Sequence, residues 1–458
     1  MAKPRASFRC SSCGHQSAKW VGRCGDCGEW GSVSEVAVAQ IGATARGATA
    51  VAPSSPALRI TEIDPAAAAA FPTGIGELDR VLGAGVVPGS VVLLAGEPGV
   101  GKSTLLLEAA KRWAEQGRTA LYVTGEESAA QVRLRAQRTG AVHPEVYLAA
   151  ETDLDTVLGH AQQVSPTLMI VDSVQTMIAG GADGVNGGVT QVRSVTTALV
   201  SLAKNSGISV ILVGHVTKEG AVAGPRSLEH LVDVVLSFDG DKHSSLRMVR
   251  GIKNRFGAAD EVGCFEQRGD GIHEVPDPSG LFLHHRDSDV PGTAITVSMD
   301  GKRPMVGEVQ ALVSATQNGS PRRAVSGLDS ARVAMILAVL EGRLNVKVSH
   351  VEVYVATVGG MKITEPAADL AIALAIGSIV RDRPLPRSTV AIGEVGLAGE
   401  VRRVAAVGRR VAEAKRLGFR HAIVPTGSTD LPTGIKVTQV SDLHEAVRAA
   451  LTGPADGF

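Results

Sequence analysis

Aromatic residues are scarce in this chain, where Phe, Tyr and Trp make up 3% of 458 residues. Cores built without them must come from Val, Ile, Leu and Ala, which suits buried parallel strands under Ala-rich helices and favours an α/β fold. Net charge is missing as well, with 46 Lys and Arg against 46 Asp and Glu. The basic footprint usual for a nucleic-acid binder is therefore absent from the whole-chain average, and any DNA contact has to come from local patches. No apolar run approaches the roughly 18 uncharged residues that span a bilayer, and Met1 to Arg9 holds no apolar signal segment. A cytoplasmic protein with no membrane partner is expected. Cysteine is rare too, five in all, and four of the five fall in the first 27 residues as two CxxC pairs. In a reducing compartment such clustering points to metal rather than disulfides.

Length alone suggests about three domains. Residues 1–36 are dense in Cys, Gly and Trp and read as a zinc-binding module; residues 37–57, mostly Ala, Gly, Ser, Thr and Pro, read as a flexible linker. From residue 58 apolar runs alternate with helical patterns: Val91 to Ala95, Leu121 to Val123, Leu168 to Val171, Ile208 to Val213. That alternation implies a mostly parallel sheet. The polar run Arg286 to Asp289, followed by Val290-Pro291-Gly292, sets a boundary, giving one α/β unit over 58–285 and a second over 286–458. Within that second unit Val351 to Val355 and Ala422 to Val424 read as strands and Pro366 to Ile376 as a helix.

The chemistry is concentrated in Gly96-Glu97-Pro98-Gly99-Val100-Gly101-Lys102-Ser103, placed between an apolar strand and a helix that opens at Thr104. This is a phosphate-binding loop: backbone N–H groups wrap the phosphates of ATP, Lys102 reaches the β and γ oxygens, Ser103 binds Mg²⁺, and the helix N-terminus adds its dipole. Asp172, at the end of the strand Leu168 to Val171, is the expected partner for the Mg²⁺ shell. Hydrolysis also needs a group that orients or deprotonates water. Glu126 and Glu127 stand at the end of another strand, and spacing alone does not separate them; Glu127 is favoured. A helix start with acidic first-turn residues is the bland alternative. His215, ending the strand Ile208 to Val213, suits a γ-phosphate sensor or equally a satisfied buried histidine. The Gly-rich stretch Ala179 to Gly188 is expected to form a mobile loop beside the nucleotide.

Cys10-x₂-Cys13-x₁₀-Cys24-x₂-Cys27 offers four soft ligands on tight turns, the pattern of a structural tetrahedral Zn²⁺ with no open position. Trp20, Trp30, Lys19 and Arg23 either contact DNA or a partner, or cover the metal. Cys264, alone in the sequence, reads as a core residue.

Lys253-Asn254-Arg255-Phe256-Gly257, Thr73-Gly74-Ile75-Gly76-Glu77-Leu78-Asp79 and the N-terminal cysteines together closely resemble the bacterial RadA (Sms) family of DNA-repair proteins over nearly the whole chain. The resemblance implies a RecA-like ATPase core, a homo-oligomeric, hexameric ring, single-stranded or branched DNA and a RecA-type recombinase as partners, and branch migration or strand translocation during recombinational repair. It also implies that Lys253 and Arg255 complete a neighbouring subunit's site in trans. Read without it, His243 to Gly257 carries four Lys or Arg and no acid, and fits a solvated or DNA-facing patch equally well. The C-terminal unit resembles the proteolytic domain of Lon proteases, with Ala367 at the position of the catalytic serine and Gly408 at that of the lysine. Proteolysis is therefore not expected. Arg402, Arg403, Arg409, Arg410, Lys415 and Arg416 suggest a basic helical face, for DNA, for subunit contacts or simply for solvent.

Overall fold

A computed structural model describes residues 8–10, 15–17, 19–35, 57–215, 228–240, 245–278, 289–316 and 321–451. Residues 1–66 and 67–458 form two separate compact units. Nearly all of the expected linker at 37–57, and the expected boundary at 286, lie outside the described residues.

The first unit contains a three-stranded antiparallel sheet in the order β2-β1-β3, made of β1 (Phe8–Cys10), β2 (Gln16–Ser17) and β3 (Val33–Glu35).

The second unit opens with α1 (Gly76–Leu82), β4 (Val91–Gly96), α2 (Lys102–Glu115), β5 (Ala120–Thr124), α3 (Ala129–Arg138), β6 (Val146–Ala150), α4 (Leu154–Val164), β7 (Leu168–Asp172), α5 (Val189–Ser206) and β8 (Ser209–His215). Then follow β9 (Val234–Gly240), β10 (Leu246–Asn254), β11 (Val262–Arg268) and β12 (Gly271–Glu274). They build one nine-stranded sheet, β12-β11-β10-β9-β4-β8-β7-β5-β6. The six strands from β9 to β6 are parallel, as the alternating pattern implied, and β10 to β12 extend the sheet antiparallel. In the central strands both faces are apolar because both are covered. Leu94, Tyr122, Ile170 and Ile211 pack under α1, α2 and α3, whereas Leu93, Leu121, Val171 and Leu212 pack under α4 and α5.

The C-terminal part runs β13 (Thr293–Asp300), β14 (Arg303–Ala315), β15 (Arg323–Ser326), α6 (Ser330–Leu344), β16 (Val351–Thr357), α7 (Asp369–Arg381), β17 (Thr389–Ala391), β18 (Glu394–Val395) and β19 (Val401–Arg402). It closes with α8 (Val407–Arg416), β20 (His421–Pro425), β21 (Lys436–Val440) and α9 (Leu443–Leu451). Seven of these strands form a mixed sheet, β15-β16-β14-β13-β17-β20-β21. Residues Asp369 to Ser378 of α7 are buried on every side, which explains a helix that is Ala, Ile and Leu all round. This part is bolted to the ATPase sheet. Arg303 donates to the carboxylate of Glu77 in α1 and to the carbonyls of Val262 and Pro276 at 3.0 and 2.7 Å, while Arg250 pairs with Asp300.

Candidate nucleotide and metal sites

Because β4, β5, β7 and β8 are parallel, their C-terminal ends share one edge, and every residue that follows them arrives there. Gly96 lies opposite His215, and Thr124 opposite Asp172. The chain leaves β4 through Gly101, whose φ of +107° is open to glycine at little cost, and enters α2 with no side-chain cap on its first turn. The N–H groups of that turn are thus left for an anion. Lys102 is buried; its Nζ donates to the carbonyls of Gly96 and Glu97, each at 2.9 Å, and stands 3.3 Å from His215 Nδ1. Burial lowers its pKa, against the opposing charges of Asp172 and Glu126.

The two glutamates separate. Glu126 Oε1 accepts from Ser173 Oγ at 2.7 Å and lies 3.0 Å from His215 Nε2. Burial raises its pKa, but the Ser173 and His215 hydrogen bonds and the Lys102 charge outweigh that and hold it below the usual carboxylate range. Glu127 instead pairs with Arg135 of α3. α3 begins at once after Ser128, and its second turn holds Glu127 in an ion pair at the helix side. An imidazole with Nδ1 facing an ammonium and Nε2 facing a carboxylate is consistent with one tautomer, the Nε2–H form. Lys102, His215 and Glu126 then make one donor-to-acceptor chain.

Asp172 accepts from the hydroxyl of Tyr122, 2.5 Å away. Oxygen donors of this kind fit Mg²⁺, which takes one or two protein oxygens and keeps its waters. Tyr122 and Ser173 were not singled out from sequence. A tyrosine inside an otherwise aliphatic strand, one of three in the chain, was the available signal.

Lys253 and Arg255 are not brought to this edge. β10 runs antiparallel to β9, so Asn254 sits opposite Val234, which lies opposite Val92 at the start of β4. Both residues therefore lie at the end of the sheet away from their own phosphate loop. Lys253 Nζ donates to the carbonyls of Glu229 and Val232 at 2.6 and 2.8 Å, and Arg255 pairs with Asp233 at 3.0 Å. Two residues of the Gly-rich stretch 179–188 are held by Gln191, whose Oε1 accepts from the Ala179 N–H at 3.0 Å and whose amide donates to the Ala182 carbonyl at 2.5 Å.

In the first unit Cys24 and Cys27 flank a reversal closed by Gly28 N–H to the Cys24 carbonyl and Cys24 N–H to the Glu29 carbonyl, both 3.0 Å. Such a knuckle suits thiolate coordination of Zn²⁺. Cys13 and the side chain of Cys10 lie outside the described residues. Trp20 and Trp30 are 63% and 75% exposed.

Ala367 is buried, and a Cβ built on Gly408 would stand 2.3 Å from the Asp430 carbonyl, which leaves no room for any side chain. The basic cluster around α8 is not one uniform face. Arg410 is buried on Glu365, Arg402 pairs with Glu400, and Arg416 pairs with Glu413 and Asp277.

A phosphate loop at the edge of a RecA-like parallel sheet, followed by a Lon-protease-like α/β part and preceded by a cysteine-knuckle module, defines a RecA-like ATPase with a zinc ribbon. The chain matches the AAA domain over residues 59–221, the rubredoxin metal binding domain over 8–35 and subunit ChlI of Mg-chelatase over 311–428. It is 60% identical to the DNA repair protein RadA of Mycolicibacterium smegmatis, covering 98% of this chain and 97% of that one. Identity is 58% to the RadA of Mycobacterium tuberculosis (98% and 94% covered) and 44% to that of Bacillus subtilis (99% and 100%). The chain belongs to the RadA family of DNA-repair proteins.

Proposed function

We propose that the chain is a DNA-dependent ATPase that processes recombination intermediates, by branch migration or strand translocation, as a hexameric ring on single-stranded or branched DNA beside a RecA-type recombinase. The observation that carries the ATPase reading is the chain Lys102–His215–Glu126 at the phosphate-loop edge. On this reading the γ-phosphate of ATP draws Lys102 off the Gly96 and Glu97 carbonyls and away from His215. The imidazole turns with it, and Glu126 is released to orient the attacking water and take its proton. Ser103 and Asp172 hold Mg²⁺, which neutralises phosphate charge when bound. Gly96 to Thr104 supply the cradle.

Lys253 and Arg255 act on the neighbour's nucleotide, a role supported by their place at the far end of their own sheet. Cys10, Cys13, Cys24 and Cys27 hold a structural Zn²⁺. The Lon-like part assembles or binds DNA rather than cutting peptide bonds, which Ala367 and the filled space at Gly408 support. Among the described residues no helix is long and apolar enough to cross a membrane, in keeping with work in the cytoplasm. The test is the ATPase rate with and without single-stranded DNA and a recombinase. Stimulation by DNA is expected; a rate indifferent to both would overturn the DNA-motor reading.

A further inference from the structure

Tyr122 is 1% exposed, its ring in the core beneath α2 and α3. Thr124 faces Asp172 and Tyr122 faces Ile170 across the β5–β7 pair, so Tyr122 and Asp172 are diagonal neighbours on the same face of the sheet. The hydroxyl donates to Asp172 Oδ2 at 2.5 Å. Phenylalanine would fill this core space without burying a hydroxyl. Desolvating that hydroxyl is a cost that only its partner offsets, so the group is placed for Asp172.

We propose that Tyr122 is a positioning residue for the divalent cation that accompanies the nucleotide. Its hydroxyl fixes one oxygen of Asp172 and leaves the other free for the cation. This rests on the reading of Ser103 and Asp172 as the cation's protein partners. A terminal carboxylate torsion is otherwise broad, and restricting it before the cation arrives removes an ordering cost from binding.

The readout is Mn²⁺ affinity of the full chain's ADP complex, followed by the electron paramagnetic resonance signal of free Mn²⁺, alongside ADP affinity in EDTA. Tyr122→Phe is expected to weaken Mn²⁺ about tenfold, the loss of one hydrogen bond to a charged group, and to leave metal-free ADP affinity within about twofold. Asp172→Asn should also weaken Mn²⁺, and adding Tyr122→Phe to it should cost nothing more. If Asp172→Asn loses Mn²⁺ affinity and Tyr122→Phe keeps it, the role of Tyr122 is refuted while the cation site stands. Should Asp172→Asn also keep it, the site reading itself is wrong. An equal fall in ADP affinity with and without metal would make Tyr122 a packing residue and overturn the inference.

Discussion

His215 Nε2 lies 3.0 Å from Oε1 of Glu126. That contact ties Glu126 through His215 to the phosphate-loop lysine, whereas Glu127 pairs with Arg135. Glu126→Gln is expected to keep ATP binding and lower turnover by about 10²- to 10⁴-fold, the usual worth of a general base. Glu127→Gln removes only the partner of Arg135 and should retain most activity. Single-turnover hydrolysis of bound ATP by both variants decides, and the opposite ranking would return the role to Glu127.

Arg255 and Lys102 belong to different sites if the trans reading is right. Rings of Arg255→Ala chains alone, like rings of Lys102→Ala chains alone, should bind or assemble yet turn over poorly, with a loss of about 10³-fold or more for the arginine. Mixing the two variants should restore some ATPase at interfaces where an intact Lys102 meets an intact Arg255. No recovery at any ratio sinks the trans role. Normal DNA-independent turnover by Arg255→Ala, with weaker and less salt-sensitive DNA binding, would mark Arg255 as a phosphate contact instead.

Glu365 and the buried Arg410 are joined at 2.5 and 2.8 Å. Burial raises the Glu365 carboxyl, but the Arg410 hydrogen bond and charge outweigh it and hold the pKa below its ordinary 4.5. A depressed carboxylate contributes stability that is present above the unfolded value and is lost as pH falls through the folded one. Glu365→Gln should therefore cost about 3 to 5 kcal/mol near neutrality, where it strands a buried guanidinium. The gap from the parent should narrow as pH drops below 4.5. Urea midpoints across that range measure it; a gap independent of pH would refute the linkage.

Metal analysis of freshly purified, reduced protein should find about one zinc per chain. Cys24→Ser should release it and unfold the first unit while ADP binding by the second persists, because small metal modules fold on their ion. Zinc-free protein with an intact first unit would contradict this.

The phosphate loop, the carboxylate-ended strand and the parallel core were legible because each is written in consecutive residues. A strand, a Gly-rich turn and a helix leave a local pattern that nothing distant alters. What was not legible depended on partners far along the chain. Glu126 and Glu127 differ only through Ser173 and His215 on one side and the α3 residue Arg135 on the other. Arg410 read as one more cation on a basic helix, yet it points inward because Glu365 waits there, 45 residues earlier. Glycine content at 179–188 likewise says nothing of Gln191, which holds Ala179 and Ala182. Tyr122 looked like an ordinary strand residue until the fold brought Asp172 diagonally beside it.

The space at Gly408 also sets what substitution can do there. A serine at Ala367 is one codon change away, but a lysine at Gly408 would bring its first side-chain atom to 2.3 Å from the Asp430 carbonyl. Placing it requires the 430 turn to retreat before the new side chain has any use. The same barrier faces an engineer, for whom grafting the dyad onto this chain begins with rebuilding a loop.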